Sequence, residues 1–450
     1  MDTPICDFCN RYAKSGILRL HMPGHKGVTD HKGEKLTGAE PYDITEIAGA
    51  DSLYEADGII RESEDNATAL FGCPTFYSTE GSSQCIRAML YLLCLQAHAK
   101  GVRPTIAAGR NVHKTFVTAA ALLDVDVVWL TGATDTSYLS CALTAETIEN
   151  HLASADPRPT AVYLTSPDYL GHMVDIAGIA DVCHRYGVYL AVDGAHGAYL
   201  HFLPTPCHPM DLGADLCCAS AHKTLPALTG CAYLHIGVPE MVKNAKAALA
   251  LFGSTSPSYL LLCSLDRVNR YLAEGYRETL ARLVEQVAVS KAALCRAGWM
   301  LSGEEGTKLT LRTRSYGYTG TEVAAFLRER GMECEFADPA HVVLMLTPEN
   351  GSDALPRVVD ALCSLSRRSS LPEVVWSYRL PAQVVSIREA MFAPWEEVPV
   401  AHAVGRVLAG LTVGCPPAVP IVVSGERIDA TAVAMMQYYG TDTVRVIREV

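Results

Sequence analysis

Three short segments carry residues that could do chemistry together. The apolar run DLCCAS at 215–220 leads through Ala221 and His222 into Lys223. The run VYLAVD at 188–193 ends on Asp193, thirty residues before that lysine. The segment FYSTEGSSQ at 76–84 places Gly81, Ser82 and Ser83 ahead of an amphipathic stretch. A lysine directly after an apolar strand sits where apolar or cationic surroundings lower the amine pKa and make it a nucleophile toward a carbonyl. Taken singly, Lys223 also reads as a solvated lysine. A carboxylate at a neighbouring strand end suits a protonated ring nitrogen, although Asp193 alone also reads as a helix cap. A glycine followed by two serines at a helix start offers backbone N–H groups and hydroxyls to a phosphate; by itself this is also an ordinary serine cap. A carbonyl, a protonated ring nitrogen and a phosphate are the three handles of pyridoxal 5′-phosphate (PLP), held by a lysine as a Schiff base. His113, after the strand-like TIAAG, offers a flat ring to stack on such a cofactor, or a backbone-bonded histidine at a helix start.

The elements that must position these residues follow from hydrophobic patterning. Between about 60 and 240 recur TIAAG (105–109), DVVWLT (126–131), TAVYLT (160–165), VYLAVD (188–193), DLCCAS (215–220) and CAYLHI (231–236). Helical patterns at 82–100 and 176–187 lie between them. Near-continuous apolar strands alternating with helices predict an α/β fold with a mainly parallel sheet covered on both faces. Ligands of such sheets bind beyond the carboxyl ends of the strands. The spacing then predicts a long helix over 265–297 and a small α/β layer over 298–365. The domain expectation is an N-terminal arm at 1–55, a cofactor-binding large domain at 56–265, and a linking helix with a C-terminal small domain at 266–450.

Bulk properties narrow the classes. The 450 residues, 49% hydrophobic, can bury a sizeable core of two to three domains. A net charge of −12, with 37 basic and 49 acidic residues and no basic block, argues against nucleic acid. It suits a cationic substrate and equally suits plain solubility. No apolar run reaches the roughly 18 residues of a membrane span, and MDTPICDFCNRYAKSG lacks a signal core. Sixteen dispersed cysteines predict free thiols in a reducing, cytoplasmic setting. The pair Cys6 and Cys9 has no second pair at zinc spacing, so no metal is expected.

These segments resemble the short-form ornithine/lysine/arginine decarboxylases, PLP enzymes of the aspartate-aminotransferase fold (fold type I). The matching stretches run in family order: HMPGHKG (21–27), DITEIAGADSLYEADGII (43–60), STEGSSQ (78–84), GRNVHKT (109–115), TSPDYLG (165–171), VDGAHGAYLHF (192–202), SAHKTLPALTG (220–230) and AVGRVLAGLTVGCPPAVPIVVSGERI (403–428). The last resembles the family's C-terminal domain. The resemblance implies a seven-stranded sheet and a smaller C-terminal α/β domain. It makes Lys223 the Schiff-base lysine, Asp193 the partner of the pyridine nitrogen and His113 the stacking ring. Gly81, Ser82 and Ser83 would hold the phosphate, joined by Ser220 and His222. His196 becomes a proton donor or a neighbour of the substrate carboxylate. His25 and Lys26 are expected near an active site shared between subunits, hence a homodimer or higher homo-oligomer. The longer relatives' N-terminal wing is not expected.

The implied reaction is decarboxylation of a basic L-amino acid (arginine, lysine or ornithine) to a polyamine or its precursor. A cationic side chain requires a carboxylate in the pocket, because an unpaired buried cation is costly. Asp51, Glu55, Asp168 and Glu426 are the candidates. The chain departs from the family at Gly194 (usually a carboxylate), Asp168 (usually threonine), Gly230 (usually glutamine), and at Cys415 and Ala418 (usually tyrosine and glycine). Asp168 reads as a turn cap or an added charge near the substrate. The departures keep two alternatives in view: another PLP-dependent lyase or aminotransferase, and a catalytically silent homologue that acts by binding protein.

Overall fold

A computed structural model describes residues 1–450 except 32, 36, 133–136, 375, 377–378, 412–416 and 450. Cys415 falls outside the described residues. The six predicted apolar runs form strands, and Thr75–Ser78, not predicted as one, adds a seventh: β1 (Thr75–Ser78), β2 (Thr105–Gly109), β3 (Asp126–Leu130), β4 (Ala161–Thr165), β5 (Tyr189–Asp193), β6 (Leu216–Ala219) and β7 (Ala232–Ile236). They make one sheet in the order β1-β7-β6-β5-β4-β2-β3. β2 pairs in parallel with β3 and β4, and β5 with β6. β7 runs antiparallel to both β6 and β1. All four residues of β6 and all five of β7 are buried, as strands covered on both faces require.

By contacts the chain divides into two compact units, Met1–Leu92 with Ala191–Thr279, and Leu93–Leu190 with Leu280–Val450. In the first unit, α1 (Pro4–Ala13) buries Ile5, Cys6 and Cys9. The Cys6 N–H donates to Asp266 at 2.9 Å and the Cys6 thiol to the Cys263 carbonyl at 3.1 Å. Both thiols of the Cys-x-x-Cys pair are therefore packing groups. Beside them, Ser63, Tyr77, Asn269 and Asp266 form a buried hydrogen-bonded cluster. Helix α2 (Ile59–Phe71) ends at Gly72, whose φ of +70° is the left-handed cap that glycine supplies cheaply.

The single helix expected over 265–297 is broken. It is two helices, Tyr259–Ala273 and Tyr276–Arg296, separated at Glu274 and Gly275, where Gly275 takes φ +79°. Hydrophobic periodicity continues across the break, but the backbone does not. In the second unit, Leu283, Val287, Trp299, Leu309, Leu344 and Leu362 share one core, with Trp299 stacked on Tyr316 at 3.9 Å. Val400, Leu408, Ile428, Met435, Val444 and Val446 share another. Among the described residues no helix is long and apolar enough to cross a membrane.

The first unit also buries His208 and His235 edge to face, with ring centroids 5.0 Å apart, against Phe71. Burial pushes the His208 imidazole down to about 4. An unfolded chain takes up this proton near pH ~6.5, the folded chain only near 4. The unfolded state binds more protons in that window, so stability is lost as pH falls through it, by about 3 kcal/mol at the acid end. His208→Asn should flatten this dependence. The drop in urea midpoint from about pH 7 to about pH 5 should be smaller than in the unaltered protein; an equal drop would show that His208 contributes none of it.

Candidate active site

β5 and β6 set the first unit's site. Their parallel register puts Asp193 opposite Cys218, and both strands stop there. After β6 the chain makes a single helical turn (Ala221–Thr224), which carries Lys223. After β5 it turns through Gly194 and Ala195 to His196, which is 5% exposed. Lys223 Nζ and His196 Nε2 lie 3.1 Å apart. Two nitrogen bases at that distance share one proton, and either can carry it.

Asp193 is 2% exposed. Its Oδ1 accepts from the Ala195 N–H at 3.1 Å and the Cys218 thiol at 3.4 Å. Among the described residues nothing donates to Oδ2, which leaves one carboxylate oxygen for a ring N–H. Burial, and then the Asp193 charge, hold the Cys217 and Cys218 thiols well above their ordinary pKa. They remain protonated and inert. Ser220, at the end of β6, is wholly buried and its Oγ has no partner among the described residues. Thr224 Oγ1, one residue past the lysine, is in the same state. Buried hydroxyls without partners are costly, and an anion at this turn would satisfy them. His222 Nδ1 donates to the Cys231 carbonyl at 2.8 Å.

The glycine-serine segment opens α3 (Gly81–Ala99). Gly81 has φ +73°, yet nothing lies within 4 Å of where its Cβ would be. Its conformation demands glycine; crowding by other protein groups does not. Its N–H donates to the Gly230 carbonyl at 2.7 Å. That N–H is therefore committed, and of the expected phosphate residues Gly81, Ser82 and Ser83 the two serines bring hydroxyl donors. Sequence reasoning missed Ser78 and Gln84. Both are fully buried, and Ser78 Oγ donates to Gln84 Oε1 at 2.6 Å.

The remaining expected residues are placed as follows. Asp51, a candidate for the distal carboxylate, is 5% exposed and receives five backbone N–H groups, from Ser52, Asp57, Gly58, Ile60 and Arg61. Its lone pairs are spent capping α2, which corrects that expectation. Glu55 is exposed. His25 bonds Asp43 at 3.2 Å and accepts the Gly27 N–H at 3.0 Å. The Lys26 ammonium donates to the His21 carbonyl. Among the described residues no hydrogen bond or ion pair joins His25 or Lys26 to Lys223.

His113, Asp168 and Glu426 belong to the second unit. His113 caps α4 (Lys114–Leu123), its Nδ1 accepting the Thr115 N–H at 3.1 Å. That bond places the neutral ring's proton on Nε2. Asp168 is 3% exposed and behaves as a turn cap: its Oδ1 accepts from the N–H groups of Leu170 and His172, each at 2.9 Å. Its Oδ2 lies 2.9 Å from His172 Nδ1 and raises that imidazole above its ordinary value against the effect of burial. Both residues line a cavity of about 360 Å³ with Thr165, Arg312, Arg314 and Tyr438. Glu426 is 1% exposed; its Oε2 pairs with Arg110 at 2.8 Å and accepts the Val423 N–H at 2.7 Å. Burial raises its carboxyl pKa, with Arg110 opposing. The Arg110 guanidinium also lies over the Trp129 ring, 4.8 Å from its centroid. Much of the Glu426 charge is thus already compensated inside the protein.

The family model described as Orn/Lys/Arg decarboxylase, major domain, matches residues 3–304, and that for the C-terminal domain matches 375–443. An arginine decarboxylase of Bacillus subtilis (strain 168) is 28% identical over 454 residues, covering 95% of this chain and 91% of that one. An arginine decarboxylase of Halalkalibacterium halodurans is 28% identical, covering 97% and 93%. Among solved structures, the Francisella novicida lysine decarboxylase LdcF superimposes with a TM-score of 0.81 at 17% identity, covering 99% of this chain and 81% of that one. Lysine decarboxylase A of Pseudomonas aeruginosa gives 0.81 at 18%, covering 99% and 80%. At these identities the structural likeness establishes the fold.

The departures from the family have local causes. A Cβ at Gly194 would stand 2.9 Å from Cys217 Sγ and 3.1 Å from the Cys218 carbonyl, so the thiol occupies the space a side chain there would need. Gly230 has φ +103°, and its Cβ would meet the Thr79 carbonyl at 3.2 Å, so glutamine would be strained there. Ala418 keeps a left-handed φ of +58° without being glycine, and its carbonyl accepts the Lys114 N–H at 2.7 Å. Gly194→Ala should therefore destabilise the protein by about 1–3 kcal/mol. Adding Cys217→Ala should recover part of the loss. Denaturant titration of the single and double variants checks this; additive losses would show that the thiol is not the obstacle.

Proposed function

Because the chain belongs to the Orn/Lys/Arg decarboxylase family, we propose that it is a PLP-dependent decarboxylase of a basic L-amino acid, L-arginine being the first substrate to test on the names of its relatives. The observation that carries the reading is the close pair Lys223–His196 beside buried Asp193, where two parallel strands end. The residues fit the cofactor. Lys223 offers the amine and Asp193 Oδ2 an acceptor for the ring N–H. Ser220, Ser82 and Ser83 offer hydroxyl donors for the phosphate, His222 stays assigned beside it on family order, and the partnerless Ser220 Oγ is accounted for by such an anion. His113 is assigned to the ring face on family order. When bound, PLP supplies a carbonyl for the substrate amine and a conjugated ring that accepts the electron pair left as carbon dioxide departs.

The protein's own part is binding, orientation and proton supply. Asp193 is buried, so its charge is weakly screened and holds a proton on its partner firmly. The shared proton of Lys223 Nζ and His196 Nε2 is the one available to return to the substrate Cα. The cationic side chain needs an anionic partner. Asp168 and Glu426 stay as candidates because they are carboxylates, and His25 and Lys26 from the HMPGHKG loop stay assigned near the substrate on family order. The same order supports a homodimer or higher homo-oligomer with shared sites. The free, dispersed cysteines support a cytoplasmic location, and the amine product of such a reaction supports a place in polyamine metabolism.

The test is product analysis on purified protein with added PLP and L-arginine, L-lysine or L-ornithine. Carbon dioxide and the matching amine should appear with at least one of them. Lys223→Ala should abolish both, together with the visible absorbance that borohydride removes. His196→Gln should slow release by about a hundredfold or more. Formation of a keto acid, or no carbon dioxide from any of the three, overturns the reading.

A further inference from the structure

The residue that shapes the start of α3 is not among those expected to touch a ligand. Gln84 lies one turn into that helix, and its side chain is wholly buried. Both its donor directions and one lone pair of its carbonyl oxygen are used. Oε1 accepts from Ser78 Oγ at 2.6 Å, while Nε2 donates to Tyr54 Oη at 2.8 Å and to the Leu249 carbonyl at 2.8 Å. Ser78 Oγ in turn accepts the Glu80 N–H at 3.1 Å. The last residue of β1, the turn at 79–81 and the first turn of α3 are thus closed on one amide. Two further segments, carrying Tyr54 and Leu249, hold that amide from the other side.

The packing leaves this amide no alternative position. A Cβ at Gly253 would overlap both Tyr54 Oη and Gln84 Nε2. The chain passes the amide where only glycine can, and Gly253 is not at a positive φ, so space alone accounts for it. Gly81 N–H is already bound to Gly230, so the helix start cannot rotate to offer it elsewhere. The aim of Ser82 and Ser83 then depends on the turn that Gln84 fixes.

We propose that Gln84 is a positioning residue for phosphate recognition: through Ser78, Tyr54 and Leu249 it fixes the turn from which Ser82 and Ser83 reach the cofactor's phosphate group. The proposal rests on the reading of this segment as the phosphate site. It assigns Gln84 no contact with the cofactor. Its signature is selective. Loss of the amide should weaken a ligand that carries the phosphate and spare one that lacks it.

The experiment measures dissociation constants of PLP and of pyridoxal, by visible absorbance, for the unaltered protein, Gln84→Leu, Tyr54→Phe and Gly253→Ala. Thermal melting of each apoprotein accompanies it. Gln84→Leu and Gly253→Ala should weaken PLP by about tenfold or more, as loss of a buried hydrogen bond implies. Pyridoxal affinity should change by less than about twofold. Tyr54→Phe removes one hydroxyl and should give a smaller loss with the same selectivity. It decides the matter if the other two do not fold. Equal weakening of both ligands, or no change in either, overturns the proposal while the unaltered protein still binds PLP. If the unaltered protein binds neither, the functional reading fails first and the proposal falls with it.

Discussion

β5 and β6 run parallel with Asp193 opposite Cys218, and parallel strands bring their carboxyl ends to one edge. The rest of the site follows from that pairing. A carboxylate that closes one strand and a lysine one short turn past the other are held by backbone hydrogen bonds rather than by flexible loops. The Lys223 turn is only four residues long, so the amine has little freedom to leave the edge. Antiparallel pairing of the same two strands would have sent Asp193 and Lys223 to opposite ends of the sheet.

The strands and their endpoints were legible because a buried parallel strand is written as an apolar run and stops where the run stops. Six of the seven strands therefore match the sequence reading closely, and β1, four residues long and ending on Ser78, was read only as part of the glycine-serine segment. The helix break at Glu274–Gly275 was not legible, because side-chain periodicity carries through it and only the backbone of Gly275 changes. Asp51 and Glu426 illustrate a second limit. A carboxylate near a site has the same letters whether its oxygens face a ligand or five amides, and only the folded chain shows that Asp51 is saturated and Glu426 is paired with Arg110. Gln84 was invisible for the opposite reason. Glutamine in an amphipathic helix reads as a solvated position, and its burial depends on Leu249 and Gly253, distant in sequence.

Two of the positions at which the chain departs from the family's pattern, 194 and 230, carry glycine here. Gly194 stands against Cys217, and the thiol occupies space that a carboxylate would otherwise need. Gly194 places no charge next to Asp193, and burial keeps the neighbouring Cys217 thiol neutral. Asp193 is then the one carboxylate of its turn, so its charge faces no like neighbour at position 194. Asp168 adds a charge elsewhere and ties it to His172. The net effect is to move acidity from the β5 turn to the β4 turn while the fold stays the same.

Ala418 shows how such exchanges are tolerated. It holds a backbone shape natural to glycine, at a conformational cost of about 1–2 kcal/mol, because its carbonyl is committed to the Lys114 N–H at the head of α4. The shape of this segment has outlived the residue type that made it easy. In an evolutionary lineage such a position is a one-way gate: alanine survives where the surrounding contacts already enforce the geometry, whereas a chain still acquiring those contacts would need glycine first.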